Sequence, residues 1–371
     1  MAQQLKHFFS PALVRELAAE LHAVHQRLDR AAFVRDGTRG LAGLELLARG
    51  EQLAAVMRAH LPQDFEEALS RLVRSLGPEL PGSEGNGMAP FRYLPHTMFV
   101  ARHGLDHFEP SMRALHALTR RFTAESAIRP FLLRHEQRTL AQLARWVDDP
   151  SEHVRRLVSE GTRPRLPWAQ RLPAFQRAPA PVLALLERLK DDPSLYVRRS
   201  VANNLNDIGK DHPALLVRTC ARWWRGADEE RRWLVRHALR SLVKQGDRGA
   251  LEILGVHGRP QLRLEEPRLL PARTTIGGET TLACTLLSTA QKPQELLVDF
   301  AVHYVKASGV ARPKVFKLRR LVLAPGEAVQ LRKRISFVER STRRHHPGPH
   351  RVVLLVNGVE FPLGTVVLGL S

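Results

Sequence analysis

The feature that most constrains the fold of this chain is an internal repeat with an offset of 43 residues. Asp148–Arg156 reads DDPSEHVRR, and Asp191–Arg199 reads DDPSLYVRR. Apolar residues at helical spacing stand before and after both runs. Each copy therefore predicts two helices joined by an Asp-Asp-Pro-Ser turn, with the second helix starting at Pro-Ser. Repeats of about 40 residues with two helices each are typical of HEAT-like solenoids.

A looser third copy contains Val235-Arg236-His237, 38 residues after Val197. Stacked repeats would align the arginines along one edge of the array. They are Arg155, Arg156, Arg198, Arg199 and Arg236. For one arginine of each doublet, pairing with the preceding aspartates and contact with a phosphate are equally consistent with the spacing. The net charge favours phosphate contact for the doublet as a whole.

The chain carries a formal charge of +20, from 57 basic and 37 acidic residues. A surface this basic favours a polyanionic partner, because binding phosphates releases their counterions. Only nine of the basic residues are lysine, so 48 are arginine. A GC-rich genome would explain arginine over lysine, but it does not explain the excess of basic over acidic residues. Nucleic acid is therefore the expected partner.

Two cysteines, Cys220 and Cys284, lie far apart in the sequence. This spacing excludes a disulfide framework and a zinc site, and it fits a reducing compartment. The N-terminal residues lack the apolar core of a signal peptide. Polar residues and a proline interrupt the apolar segment Arg351–Leu370, which therefore does not predict a transmembrane helix. We expect a cytoplasmic protein with no membrane partner.

Two domains are predicted. Ser10-Pro11 has the form of a helix start, and helical patterns continue to Leu254, interrupted by the glycine- and proline-rich loop Gly77–Pro90. Short alternating segments with turn signals then run to the end of the chain, as in an immunoglobulin-like sandwich. The expected fold is mostly α, with a HEAT-like solenoid at residues 1–256 and a small all-β immunoglobulin-like domain at residues 262–371.

The β-rich region is also basic, with a net charge of +9 that leaves +11 for the rest of the chain. Its most basic segment is Arg340–His350, which reads as a long hairpin tip. Its histidines could bind a metal, but the surrounding arginines favour DNA contact. The residues expected to contact DNA here are Arg343, Arg344, His345 and His346. With both regions basic, one extended partner touching both is expected.

No phosphate-binding glycine loop, metal triad or serine or cysteine nucleophile motif is present, and lysine is too sparse in the helical region to favour Schiff-base chemistry. Carboxylates remain, namely Glu125, Glu160 and Asp207. Glu160 departs from the repeat, because the next copy has Asn203 there. From spacing alone a salt bridge is the favoured role for each carboxylate. Tryptophan is most often a core residue, so we expect helix packing from most of the tryptophans. They are Trp146, Trp168, Trp223, Trp224 and Trp233.

Two runs, VRRLVSEGTRPRLPW at residues 154–168 and VRRSVANNLNDI at residues 197–208, together resemble the AlkC family of bacterial DNA alkylation-repair glycosylases, relatives of AlkD. The resemblance is strong from Thr123 to about Leu254, and the β domain is similar to the immunoglobulin-like module of some AlkC members. It implies a monofunctional base-excision-repair enzyme that releases 3-methyladenine and 3-methylcytosine from duplex DNA without base flipping, metal or cofactor. It also implies catalytic acids at Glu125 and Glu160, with Asp207 and Trp168 in the same site.

This implied chemistry needs no general acid, because a cationic base leaves as a neutral molecule. A carboxylate would stabilise the sugar cation and orient water, and an indole face would favour the same cation. The arginines would hold phosphates of a DNA duplex bearing alkylated bases, bound by a monomer. The expected contacts are Arg155, Arg156, Arg163, Arg165, Arg198, Arg199, Lys210 and Arg236. The alternative is a non-enzymatic HEAT scaffold that binds nucleic acid or an acidic protein.

Overall fold

The computed structural model of the chain describes residues 5–340 and 343–370. Ser341 and Thr342 of the predicted basic hairpin lie outside the described residues, as do Met1–Gln4 and Ser371 at the ends of the predicted domains. The described helices are α1 Pro11–Val24, α2 Arg30–Thr38, α3 Leu46–His60, α4 Phe65–Arg74, α5 Leu94–His103, α6 Phe108–Thr119, α7 Arg129–Arg134, α8 Glu136–Trp146, α9 Glu152–Gly161, α10 Pro173–Arg177, α11 Ala180–Leu189, α12 Leu195–Ile208, α13 Pro213–Trp224, α14 Glu229–Lys244 and α15 Arg248–Ile253.

The described strands are β1 Leu262–Leu270, β2 Arg273–Thr275, β3 Glu279–Ser288, β4 Gln294–Val305, β5 Ala311–Leu323, β6 Ala328–Ser336, β7 Gly348–Val356 and β8 Val359–Gly369. They form a three-stranded sheet in the order β1-β3-β6 and a five-stranded sheet in the order β2-β8-β7-β4-β5. The predicted fold class, helical repeats followed by a small all-β domain, is confirmed.

The 43-residue repeat is two helical pairs, α8 with α9 and α11 with α12. The first helix of each pair ends at Trp146 and Leu189, and the second begins at Glu152 and Leu195. Both offsets equal the offset read from the sequence. The apolar positions of α9 and α12 are buried, as their helical spacing predicts. Helix α9 packs against α12, and Arg155 of the first copy reaches Asp192 in the turn of the second.

The N-terminal helices follow the sequence signals closely. Ser10 precedes α1, and its hydroxyl accepts a hydrogen bond from the backbone N–H of Leu13 at 3.4 Å. Proline at the first helical position suits this start because its missing N–H has no partner there in any helix. Within the described residues, no helix is both long enough and apolar enough to cross a membrane.

The two sheets of the β domain enclose an apolar core. Alternate residues of β3 and β4, among them Leu282, Leu286 and Val298, point inward and are fully buried. The predicted Asn357-Gly358 turn joins β7 to β8, with φ values of 49° and 77°. Both values lie in the left-handed region that tight hairpin turns require, which asparagine and glycine tolerate best.

The chain divides into two compact units. The first comprises Met1–Leu216 and Ala227–Ala238, and the second comprises Val217–Gly226 and Leu239–Ser371. Within the second unit, Arg320 of the β domain donates a hydrogen bond of 2.8 Å to the carbonyl of Leu254, which directly follows α15. Helix α15 ends at Ile253 and strand β1 begins at Leu262, and the second unit extends back across this change from helices to strands.

Candidate active site

The two helices that carry the site, α9 and α12, each begin directly after an Asp-Asp-Pro-Ser turn. Asp149 accepts a hydrogen bond from the backbone N–H of Ser151 at 2.8 Å, and Asp192 accepts one from that of Ser194 at 2.9 Å. A short polar side chain that binds the backbone two residues ahead closes a turn and leaves the next residues free to start a helix. Each turn thus fixes where its helix, α9 or α12, begins.

The first arginine of each doublet joins consecutive repeats. Arg155 forms a two-point ion pair with Asp192 of the next repeat, at 2.6 and 3.0 Å. It also donates to the carbonyls of Asp149 and Pro150 in its own turn, at 2.9 and 3.0 Å. Arg198 repeats the pattern one copy later: it binds the carbonyls of its own turn and the carboxylate of Glu230 at 3.1 Å. These two arginines are structural links.

The second arginine of the first doublet, Arg156, lies among carboxylates. It donates to Glu125 at 3.4 Å and to the hydroxyl of Thr123 at 3.2 Å. Its guanidinium is 3.8 Å from Glu160 and 4.7 Å from the centre of the Tyr196 ring. Burial would lower the pKa of Arg156, but the adjacent carboxylates raise it above its ordinary value. Arg156 therefore holds two carboxylates together.

Glu160, near the end of α9, is 6% exposed. Arg163 donates to one of its oxygens at 2.7 Å, and the hydroxyl of Ser200 on α12 donates to the other at 2.6 Å. Burial would raise the pKa of Glu160, but Arg156, Arg163 and the two hydrogen bonds outweigh burial and lower it. Glu160 is therefore a buried carboxylate that is held ionised.

The network continues to the C-terminal end of α12. Arg163 also donates to Asp207 at 2.8 Å, and Lys210 binds the other oxygen of Asp207 at 2.7 Å. Acids and bases thus alternate along one connected row across three segments of the chain. The row runs Glu125, Arg156, Glu160, Arg163, Asp207, Lys210. We call it the ion-pair row.

Trp168 stands in the loop that follows α9, and its side chain is 80% exposed. Trp168 is therefore not one of the core tryptophans. Its φ of 60° lies in the left-handed region, where a bulky side chain is strained. The base of the loop is closed by a hydrogen bond of 3.3 Å from the N–H of Leu172 to the carbonyl of Pro164. Strained backbone and an exposed indole are features of a functional site rather than of packing.

A family model described as "Uncharacterised protein YhaZ, C-terminal Ig-like domain" matches residues 263–369. The YhaZ protein of Bacillus subtilis (strain 168) is 35% identical over 356 residues, which are 95% of this chain and 96% of that protein. The solved structure of the Pseudomonas fluorescens alkylpurine DNA glycosylase AlkC, bound to DNA containing an abasic site analog, is 38% identical with a TM-score of 0.91, covering 99% of this chain and 100% of that one. The chain belongs to the AlkC family. The predicted resemblance is thereby confirmed across both units.

In this AlkC family member, the ion-pair row brings together the three carboxylates predicted from the sequence, Glu125, Glu160 and Asp207. The arginines expected to hold phosphates are differently placed. Arg155, Arg156, Arg163 and Arg198 are occupied by carboxylates and carbonyls within the first unit, which removes them from the proposed phosphate contacts.

Four other predicted phosphate ligands of this AlkC member keep some exposure. Arg165 forms a two-point ion pair with Asp211, at 3.0 and 2.5 Å, and remains partly exposed. The side chain of Lys210 is 47% exposed although it binds Asp207, and Arg236 pairs with Glu229. Arg199, on α12, is exposed and makes no ion pair with another described residue. Arg199 is therefore the predicted contact most available to DNA.

The basic segment of the β domain also contains both exposed residues and residues that are occupied or buried within the domain. Arg344 is exposed, and Arg343 stacks on Tyr304 with its guanidinium 5.1 Å from the ring centre. His345 is 4% exposed and packs between the rings of Tyr304 and Phe337. Burial, together with the adjacent charge of Arg343, lowers the pKa of His345. Its burial removes His345 from the proposed DNA surface, whereas His346 is half-buried.

Two polar residues of α12, Ser200 and Asn204, were missed from the sequence, whereas Asp207 on the same helix was predicted. Ser200, Asn204 and Asp207 share one buried helix face, and they contact Glu160, the carbonyl of Ser159 and Arg163, respectively. The repeat carries a signal for the first of them, because Ser200 takes the place of the buried Leu157 one copy earlier. A hydroxyl at a core position of the repeat indicates a buried polar partner.

Proposed function

We propose that this chain is a monofunctional DNA glycosylase that hydrolyses the N-glycosidic bond of alkylated bases in duplex DNA and thereby begins base excision repair. The proposal is supported by its full-length similarity to the alkylpurine DNA glycosylase AlkC of Pseudomonas fluorescens. The observation that carries it is the ionised, buried Glu160 at the centre of the ion-pair row. Its specific substrates are bases made cationic by alkylation, such as 3-methyladenine and 3-methylcytosine.

The charge of the substrate determines what the protein must supply. A cationic base leaves as a neutral molecule when the N-glycosidic bond breaks, so its departure needs no proton from the protein. Positive charge then develops on the deoxyribose. A fixed carboxylate stabilises this charge without reorganising, and it can also orient the attacking water.

Glu160 and Glu125 perform this role in the proposal. Both are ion-paired to Arg156, and the charge of Arg156 also helps to lower the pKa of Glu160 against the effect of burial. Asp207 supports Glu160 indirectly, because it shares Arg163 with that carboxylate. The buried arginines therefore hold acids in position instead of binding phosphates.

Trp168 supplies an aromatic surface to the sugar. An indole face attracts a neighbouring cation, with a contribution of about 0.5–2 kcal/mol that depends on desolvation. Because the side chain is 80% exposed on a loop, it can lie against a deoxyribose at the DNA surface. Such contact does not require the base to leave the helical stack, and we propose that the base is not flipped.

Exposed basic residues bind the backbone of the duplex in this proposal, with the chain acting as a monomer. In the first unit these are Arg199 and Lys210. In the second unit Arg344, with His346 and Arg343 beside it, provides a further contact from the β domain. Phosphate contacts of this kind fix the register of the protein on DNA and carry no sequence information.

A non-enzymatic scaffold is the second candidate, because ion pairs that connect helices also occur in purely structural networks. The two candidates differ in one assay. The purified protein is incubated with methylated duplex DNA, and released bases are separated by chromatography. Release of free 3-methyladenine supports the glycosylase, and intact glycosidic bonds with retained DNA binding support the scaffold.

A further inference from the structure

One buried arginine outside the ion-pair row connects the segments that carry the proposed site. Arg129, at the start of α7, is completely buried. Its Nη1 donates to the carbonyls of Gly161 and Arg163, both at 2.9 Å, and its Nε donates to the carbonyl of Gln170 at 2.5 Å. The three acceptors lie at the end of α9 and in the loop that follows it.

Each acceptor of Arg129 neighbours a residue of the site. The carbonyl of Gly161 directly follows Glu160, and that of Gln170 lies two residues after Trp168. Arg129 itself stands four residues after Glu125, on the same short segment. One side chain therefore connects the segments of both carboxylates and of the exposed indole.

The end of α9 also packs tightly against the segment that precedes Arg129. A Cβ added at Gly161 would lie 2.6 Å from Cγ2 of Ile128, the residue before Arg129. Ile128 is fully buried, and its N–H binds the carbonyl of Ala124 at 3.0 Å. The end of α9 and the turn that holds Glu125 are thus in direct contact, which leaves little freedom for either to move.

We infer that Arg129 is a positioning residue for the glycosidic reaction: it fixes Glu125, Glu160 and Trp168 relative to one another without touching the DNA. This inference rests on the proposed function. Its geometry needs an arginine, because a planar fork reaches several carbonyls at once and a single ammonium group does not. Burial and the nearby charge of Arg163 lower the pKa of Arg129 to about 10, so it stays protonated at neutral pH.

The chain offers a matched control in Arg49. This arginine is 5% exposed and donates to the carbonyls of Lys6, Phe9, Ala42 and Leu44. It therefore has the same kind of partners as Arg129 but none of the residues of the site. Arg129→Lys and Arg129→Gln are compared with Arg49→Lys and Arg49→Gln in the full-length protein.

Three quantities are measured below the unfolding midpoint of each variant: the single-turnover rate of 3-methyladenine release at saturating DNA, the DNA affinity, and acrylamide quenching of Trp168. The quenching that belongs to Trp168 is obtained as the difference between each variant and the same variant carrying Trp168→Phe. We expect Arg129→Lys to slow release by about 10- to 100-fold, to change DNA affinity by less than about threefold, and to change Trp168 quenching. Arg49→Lys should lower only the unfolding midpoint.

Equal release rates and equal Trp168 quenching in the lysine variants of Arg129 and Arg49 would overturn the inference and leave Arg129 a purely structural residue. If the parent protein releases no base, the proposed function fails, and the quenching comparison still decides whether Arg129 holds the Trp168 loop. Should Arg129→Gln fail to fold, Arg129→Lys carries the comparison because it retains the charge.

Discussion

Arg155 and Arg156 are neighbours on α9, yet their guanidinium groups bind different partners: Arg155 contacts Asp192 of the next repeat at 2.6 Å, and Arg156 contacts Glu125 at 3.4 Å. The first contact joins repeats. The second belongs to the ion-pair row. A doublet that is identical in two repeats at the sequence level thus contains one structural residue and one residue of the proposed site.

Replacing Arg155, the residue that joins the repeats, should lower the stability of the protein. Arg155→Met leaves the buried carboxylate of Asp192 without its two-point partner, and breaking such a pair costs about 3–5 kcal/mol. Arg199→Met, at an exposed position on α12, should change the free energy of unfolding by less than about 0.5 kcal/mol. Urea unfolding of both variants measures the difference, and equal stabilities would show that Arg155 does not link the repeats.

Arg199 carries a prediction about DNA. If it contacts a phosphate, Arg199→Ala should reduce the slope of log affinity against log salt concentration by about 1. Arg155→Met should leave this slope unchanged, because Arg155 is occupied within the first unit. Binding to an undamaged duplex over a range of salt concentrations tests both variants. A slope unaltered by Arg199→Ala would place the DNA elsewhere.

The repeat made the helical pairs predictable because its offset is a property of the sequence itself. The alternating β-branched segments made most strands predictable for the same reason. The roles of Arg155 and Arg156 could not be separated in this way. Which arginine faces Glu125 and which faces Asp192 depends on how α9 is rotated against α12 and against the turn that holds Glu125, and this is a property of tertiary packing.

The pKa of Glu160 predicts how excision depends on pH. The carboxylate must be ionised to act, and its pKa is held below its ordinary value of 4.5. The single-turnover rate should therefore stay level from about pH 8 to about pH 5 and fall only as Glu160 becomes protonated. A rate that falls as pH rises through neutrality would instead indicate a general acid and contradict this mechanism.

Ser200 influences the pH at which Glu160 becomes protonated, because its hydroxyl donates a hydrogen bond to Glu160 at 2.6 Å. Ser200→Ala removes a bond to the ionised form, so the pKa of Glu160 should rise and the acid-side loss of activity should begin at higher pH. The stability that Glu160 contributes is present above its unfolded pKa and is lost as pH falls through its folded pKa, and the variant should lose it earlier. Paired pH–rate and pH–stability profiles of parent and variant measure both changes, and coincident profiles would contradict them.

Gly161 predicts a steric effect on the site. Gly161→Ala places a methyl group against Cγ2 of Ile128 and should displace the turn that holds Glu125. We expect slower excision, and partial recovery when Ile128→Leu removes that methyl branch in the same protein. A double-mutant cycle of single-turnover rates quantifies the coupling. Additive effects of the two changes would mean that this contact does not position Glu125.

The site was harder to predict than the fold. Glu160 was found because it breaks the repeat, and Trp168 because of the family resemblance. The exposure of Trp168 and the burial of His345 were not predictable, because aromatic and histidine side chains occur both in cores and at surfaces. Arg129 gives no signal in one sequence, since its partners are backbone carbonyls, which every residue has.

The central claim is that Glu160 and Glu125 act on the sugar cation. Release of 3-methyladenine from methylated duplex DNA by Glu160→Gln and Glu125→Gln tests it. Asp192→Asn is the control, because Asp192 is a buried, ion-paired carboxylate that joins consecutive repeats. We predict that Glu160→Gln slows single-turnover release by about 100-fold or more and leaves DNA affinity nearly intact. Glu125→Gln should also slow release. Asp192→Asn should lower stability without a comparable loss of rate. Release at the parent rate by both glutamine variants would contradict the claim.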